Sequence, residues 1–175
     1  MKINKTLSSL FLFIILFSHR GFAQEARQLY SAAVQEAESG NRDFAFMRCR
    51  ELLENNPDSK HASDAAFAIG EYYFITANYE NAAEALSNFI NDYPDSKGLP
   101  FVLMYLLKVP QIHKNESLAE KLKNQIIGLK RLSLLFQESK GYAYTSTLGI
   151  KYRMMYYIDK VELYVDDKLF ENITY

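Results

Sequence analysis

Three histidines, one cysteine and one pair of neighbouring carboxylates are the residues here with the most scope for chemistry. A metal site needs several ligand-type side chains at fixed spacing, and a covalent catalyst needs a base beside its thiol or hydroxyl. His19 lies in an apolar N-terminal stretch, His61 at an expected helix start and His113 in an expected turn. None of them has a second ligand-type residue at metal-site spacing. Cys49 shares a helical face with Leu52 and Leu53, where a thiol is more often a small buried hydrophobe than a nucleophile. Asp166 and Asp167 are adjacent, so on a strand they would point to opposite faces, and they read better as a turn than as an acid–base pair. The sequence carries neither a Gly-rich phosphate loop nor a Gly-x-Ser-x-Gly elbow. The expectation is a non-enzymatic protein with no cofactor and no metal. Asn115-Glu-Ser117 and Asn172-Ile-Thr174 match the glycosylation acceptor pattern, which is too short to carry weight.

The elements that would position these residues follow a repeat. Pro-Asp-Ser-Lys occurs at Pro57–Lys60 and, 37 residues on, at Pro94–Lys97. Asn41, Asn78 and Asn115 keep the same spacing, as do Ala45, Ala82 and Ala119. A fixed period of this size marks stacked helical hairpins. In the second copy, Ala66, Ile69, Gly70 and Tyr73 fall on one face of a helix that starts near Ser63. Ala77-Asn78 turns the chain, with Asn tolerating the left-handed region and able to cap the next helix. That second helix, from about Tyr79 to Asn91, turns Ala82, Leu86, Phe89 and Ile90 inward until Tyr93-Pro94 stops it. The first copy matches with Leu29, Ala32, Ala33 and then Ala45, Cys49, Leu52 and Leu53. Small residues at Ala33 and Gly70, and at Ala45 and Ala82, permit close helix approach. The third copy is partial: Leu103, Leu106 and Leu107 keep the first face, Pro110 is expected to close the helix early, and Leu118, Ala119, Ile126 and Ile127 form the second face. The apolar pattern continues through Leu129, Leu132, Leu135 and Phe136, which predicts an extended or broken capping helix.

Gly70, Tyr73, Ala82 and Pro94 sit where the tetratricopeptide (TPR) family has its Gly, Tyr, Ala and Pro signature. Over about residues 26–127 the chain resembles that family. Its stop sequence Tyr93–Lys97 is similar to the variant seen in bacterial envelope proteins of the outer-membrane assembly lipoprotein type and the Tol–Pal-associated type. Two features depart from the pattern: Ala66 replaces a large aromatic, and no anchoring cysteine follows the leader. The resemblance implies a short array of two to three helical hairpins that holds a peptide or protein partner. The second face of each first helix would build the concave surface. It carries Arg27, Tyr30 and Val34 in repeat one, Asp64, Phe67, Glu71 and Phe74 in repeat two, and Phe101, Met104 and Lys108 in repeat three. Exposed, these form an aromatic-floored groove. Equally, an aromatic stripe at helical spacing can be core, packed on the next repeat or on the C-terminal tail.

Residues 1–23 have the three parts of a secretory signal peptide: Lys2 and Lys5, the apolar run Leu7–Phe17, and Gly21-Phe22-Ala23 before the cut. An uncleaved anchor is the alternative, although the run is well short of the roughly 20 apolar residues that span a bilayer. Gln24 and Glu25 follow where a lipid-modified protein would need cysteine, so a soluble exported protein of the periplasm or envelope is expected. The leader holds three basic residues and no acidic one, which leaves a mildly acidic remainder and no clustered positive charge for nucleic acid. No other stretch is apolar and long enough to span a membrane.

The organisation read from the chain is therefore a leader (1–23), a TPR-like helical domain (24–138) and a Tyr-rich tail (139–175), mainly α overall. In the tail, Ile150, Tyr152, Met154, Tyr156 and Ile158 alternate with Lys151, Arg153, Met155, Tyr157 and Asp159, and Val161, Leu163 and Val165 alternate again. Period two predicts strands, with Asp166-Asp167 as a hairpin turn. Leu148, Tyr152, Met155 and Tyr156 also fit one helix over about 148–165, so that reading stays open. The function expected is an exported adaptor. The alternative is an accessory or truncated form of a larger envelope protein whose tail belongs to a β domain, such as a glycan-binding one.

Overall fold

The computed structural model describes residues 24–129 and 139–174. The leader, and Leu132, Leu135 and Phe136 of the expected capping helix, lie outside the described residues. Six helices come first: α1 (24–38), α2 (Arg42–Asn55), α3 (Ala62–Ile75), α4 (Tyr79–Asp92), α5 (Leu99–Ile112) and α6 (Glu116–Gly128). The starts of α2, α4 and α6, and those of α3 and α5, keep the 37-residue spacing. Four strands follow: β1 (Ser139–Thr145), β2 (Lys151–Tyr157), β3 (Lys160–Val165) and β4 (Lys168–Thr174). They form an antiparallel meander in the order β1-β2-β3-β4.

Each helical hairpin closes by the same device. The residue before each repeated asparagine takes the left-handed region: Gly40 at φ 82°, Ala77 at 60° and Lys114 at 56°. The asparagine N–H then reaches five residues back, from Asn41 to Glu36 O (2.8 Å), Asn78 to Tyr73 O (2.8 Å) and Asn115 to Pro110 O (2.7 Å). These are Schellman-type endings, which satisfy otherwise orphaned carbonyls. The left-handed residue is thus the one before Asn and not Asn itself. Among the three, only the Asn115 side chain caps its helix, accepting from Leu118 N at 3.2 Å. A Cβ in the left-handed region costs roughly 1–2 kcal/mol, which glycine avoids at some entropic expense. Ala77→Gly is therefore expected to stabilise the chain by about 0.5 kcal/mol, read as a raised urea midpoint. An unchanged or lowered midpoint contradicts this account of the turn.

The repeated inner positions are buried as their spacing requires: Ala45 and Leu52, Ala82 and Phe89, Ala119 and Ile126. A Cβ placed on Gly70 would overlap the Leu86 side chain, so glycine sets the α3–α4 approach. Two expectations for the third copy are corrected. Pro110 does not close its helix early; α5 runs on to Ile112, with the proline buried in its last turn. There the lost N–H removes only one bond near the helix end. Leu118 is exposed, and Leu122 joins Ala119 and Ile126 on the inner face.

Both α3 and α5 are buried on nearly all sides; Phe101 to Leu107 are buried without interruption. A helix apolar all round must be covered all round. The cover on the concave side is the sheet. Tyr152, Met154, Tyr156, Val161, Leu163 and Ile173 share one core with Phe67, Leu86, Phe101 and Leu107. A smaller core joins Leu29, Ala33, Cys49, Leu52 and Ala65 to Leu148 of the β1–β2 turn. The tail is strands, not a further helix. The Asp166-Asp167 turn forms as read, with φ 47° and 62°, the double positive φ of a type I′ hairpin. Ile158 breaks the alternation; it lies in the β2–β3 turn and is exposed.

Candidate functional site

The concave face is assembled from α1, α3 and α5, and the structure brings seven of its ten sequence-derived residues together, six of them under or against the sheet and Phe74 against α4 and α5. Phe67 is fully buried among the rings of Phe89, Tyr105, Tyr144 and Tyr152, with centroids 5.5–6.2 Å away. Phe101 stacks on Tyr144 at 5.7 Å and 15° and leans on Tyr152 at 5.2 Å. Met104 is buried in the same core. Phe74, half-buried, packs on Tyr105 at 4.5 Å and Tyr79 at 5.4 Å. Of the two readings left open by the aromatic spacing, the central rings follow the second: they are core, packed on the chain's own tail.

The charged residues of the face hold the sheet in place. Asp64 accepts from the Tyr144 hydroxyl at 2.9 Å, and its backbone carbonyl accepts from Thr147 Oγ1 at 3.4 Å. Glu71, seven residues along the same helix face, is fully buried and accepts from the Tyr152 hydroxyl. The Tyr152 hydroxyl is also bonded to Tyr105 at 2.5 Å, so a phenol–phenol–carboxyl chain runs from α5 through β2 to α3. Lys108 pairs with Glu171 and has its Nζ 5.0 Å from the centre of the Phe170 ring. Neighbours on a regular strand face opposite ways, yet Phe170 and Glu171 both reach α5. The register shift in the β3–β4 pairing explains this, since the irregularity re-aims a side chain.

The other three predicted residues lie toward the N-terminal end. Arg27 is exposed, while Tyr30 and Val34 are half-buried. Tyr30 stacks on His61 with ring centres 4.1 Å apart. Desolvation, then the Lys60 charge, lowers the His61 pKa.

Sequence reasoning missed the tail's share of this site: Tyr144, Thr147, Tyr152, Phe170 and Glu171. The signal available was the tail's tyrosine alternation, which showed that one face is buried without showing against what. For chemistry, burial first and then the Glu71 and Asp64 charges push the Cys49 thiol up to about 12, which leaves it unreactive at neutral pH. Burial, then the Glu71 charge, raises the phenols of Tyr105 and Tyr152 as well. Among the described residues no group of three or more His, Cys, Asp or Glu could hold a metal ion, and no helix is long and apolar enough to cross a membrane.

Stacked antiparallel helical hairpins with a 37-residue period define a TPR-like repeat protein, here with a sheet laid on its concave face. The model of the YfiO family, described as an outer membrane lipoprotein, matches residues 22–145. The chain belongs to this family, whose description places it at the cell envelope. The match takes in the helices and β1, while β2 to β4 lie beyond it. None of the curated proteins matches. Among solved structures, a chain of a CopN-Scc3 complex superposes with a TM-score of 0.48 at 16% identity, covering 58% of this chain and 56% of that one. The chain thus spans little more than half of that neighbour's length.

Proposed function

We propose that the protein is an exported, non-enzymatic adaptor of a bacterial cell envelope that holds a peptide or protein partner on its helical-repeat face. The observation that carries this reading is the family match over residues 22–145 on an array of helical hairpins, an architecture whose curved surface is used for binding. The signal-like segment 1–23 supports export, and Gln24-Glu25 after it supports a soluble rather than a lipid-anchored product. The ten concave-face residues then divide by access. Arg27, Tyr30 and Val34 meet a partner directly. Phe74 is half-buried between helices at the edge of that face, and Asp64, Phe67, Glu71, Phe101, Met104 and Lys108 become available where the sheet moves aside.

The test is cross-linking and recovery from envelope extract with the full chain and an Arg27→Ala/Tyr30→Ala double variant. Arginine and tyrosine are frequent interface anchors, each worth more than about 1 kcal/mol when truncated. A specific envelope protein is expected to be enriched by the native chain and at least about fivefold less by the variant. Equal recovery by both, with the fold of the variant intact by circular dichroism, rules out the N-terminal end as the docking surface.

A further inference from the structure

We propose that Glu71 is a proton-controlled latch: its neutral form holds the C-terminal sheet against the concave face, and its ionised form loosens it. This goes beyond the adaptor reading and does not depend on it.

The geometry is that of a single carboxyl set at the helix–sheet boundary without a cation in contact. Glu71 is fully buried on α3, and its Oε2 has no hydrogen-bond partner. Its Oε1 bonds the Tyr152 hydroxyl of β2, which in turn bonds Tyr105 of α5. Tyr144 of β1 and Cys49 of α2 are the other titratable groups that feel its charge at close quarters. The Ser146 hydroxyl in the β1–β2 turn lies near enough to favour the charged form by hydrogen bonding, short of a well-formed bond to Oε2, and the remaining influences are Arg42 at the start of α2 and Asp166 in the β3–β4 turn. Only Arg42 is cationic, and it forms no salt bridge with Glu71. A phenol chain of this kind can run either way. With Glu71 ionised, both hydroxyls point toward it, Ser146 is the one further side-chain donor that favours the charge, and no cation is in contact with it. With Glu71 neutral, the acid proton can itself donate and the cost of a buried charge disappears.

Burial pushes the Glu71 carboxyl up to about 8 from an ordinary 4.5, despite the lowering pull of Tyr152, Ser146 and Arg42. The docked state therefore keeps a proton that the released, solvated state gives up. Below about pH 4.5 both states are protonated and docking is independent of pH; from there to about pH 8 docking weakens, and above that it levels off.

Amide hydrogen exchange of the full chain, corrected for the intrinsic pH dependence of exchange, reads the docking equilibrium in β2 with α4 as the internal reference. The opening equilibrium of β2 is expected to rise by up to about tenfold per pH unit between about pH 5 and 8. Glu71→Gln, a neutral isostere, is expected to flatten that rise. Equal pH slopes in the two proteins overturn the latch, and so does equal loss of protection in β2 and α4, which is unfolding rather than release. The Glu71 carboxyl carbon resonance of the native chain gives a reading that needs no variant. Titration near pH 8 is expected, and a midpoint below about pH 5.5 overturns the proposal.

Discussion

Phe67→Ala is expected to lower the free energy of unfolding by about 3–5 kcal/mol, the range for deleting a fully buried phenylalanine ring. The side chain has no exposed surface and meets four aromatic rings from α4, α5, β1 and β2, so the site has little freedom to collapse after truncation. Native domains are stable by only about 5–15 kcal/mol, so the loss is a large share of the whole. Urea unfolding is the measurement, followed by far-ultraviolet circular dichroism or by tyrosine emission, which no tryptophan masks in this chain. A loss under about 1 kcal/mol would mean that Phe67 faces an open groove, because a solvated ring contributes little.

The second large effect concerns the sheet as a unit. A chain ending at residue 138 is expected to keep most of its helical signal, because helical hairpins are stabilised mainly by their sequence neighbours. It is expected to bind an apolar dye strongly and to self-associate. Phe67, Phe101, Met104 and Tyr105 would all lose their cover at once, and contiguous apolar surface of that kind drives association. Size-exclusion chromatography with light scattering, alongside dye titration, reads both. A monomeric truncated chain without dye binding would show that the helices can bury the concave face unaided.

The repeat was legible because it is enforced by packing at every turn. Ala45, Ala82 and Ala119 are small and buried for the same reason in each copy, and the spacing alone located all three. The strands were legible in part, since alternation shows that Tyr152, Met154 and Tyr156 share a buried side. What pairs with what was not legible. Phe67 and Phe101 at helical spacing and Tyr144 and Tyr152 at strand spacing each announce a face that needs cover, and periodicity within one element contains no term for its partner. Glu71 shows the same limit. The sequence places it on the concave face, but nothing in its helix announces the tyrosine hydroxyl that reaches it from 81 residues away and helps to make its burial tolerable. Pro110 shows the opposite limit, because a breaker placed near a helix end breaks almost nothing.

The 81-residue separation between Glu71 and Tyr152 also sets an order of events. Hairpin contacts within the repeats form between neighbours and can close as each helix appears, whereas the concave face waits for strands made much later. At roughly 5–20 residues per second, synthesis takes about 4–16 s to pass from α3 to β2. Throughout that interval the most apolar helices of the protein have no sheet to lie under. The chain is therefore at its stickiest when it is nearly finished, and whatever handles it before the sheet forms meets a different surface from the one the folded protein presents.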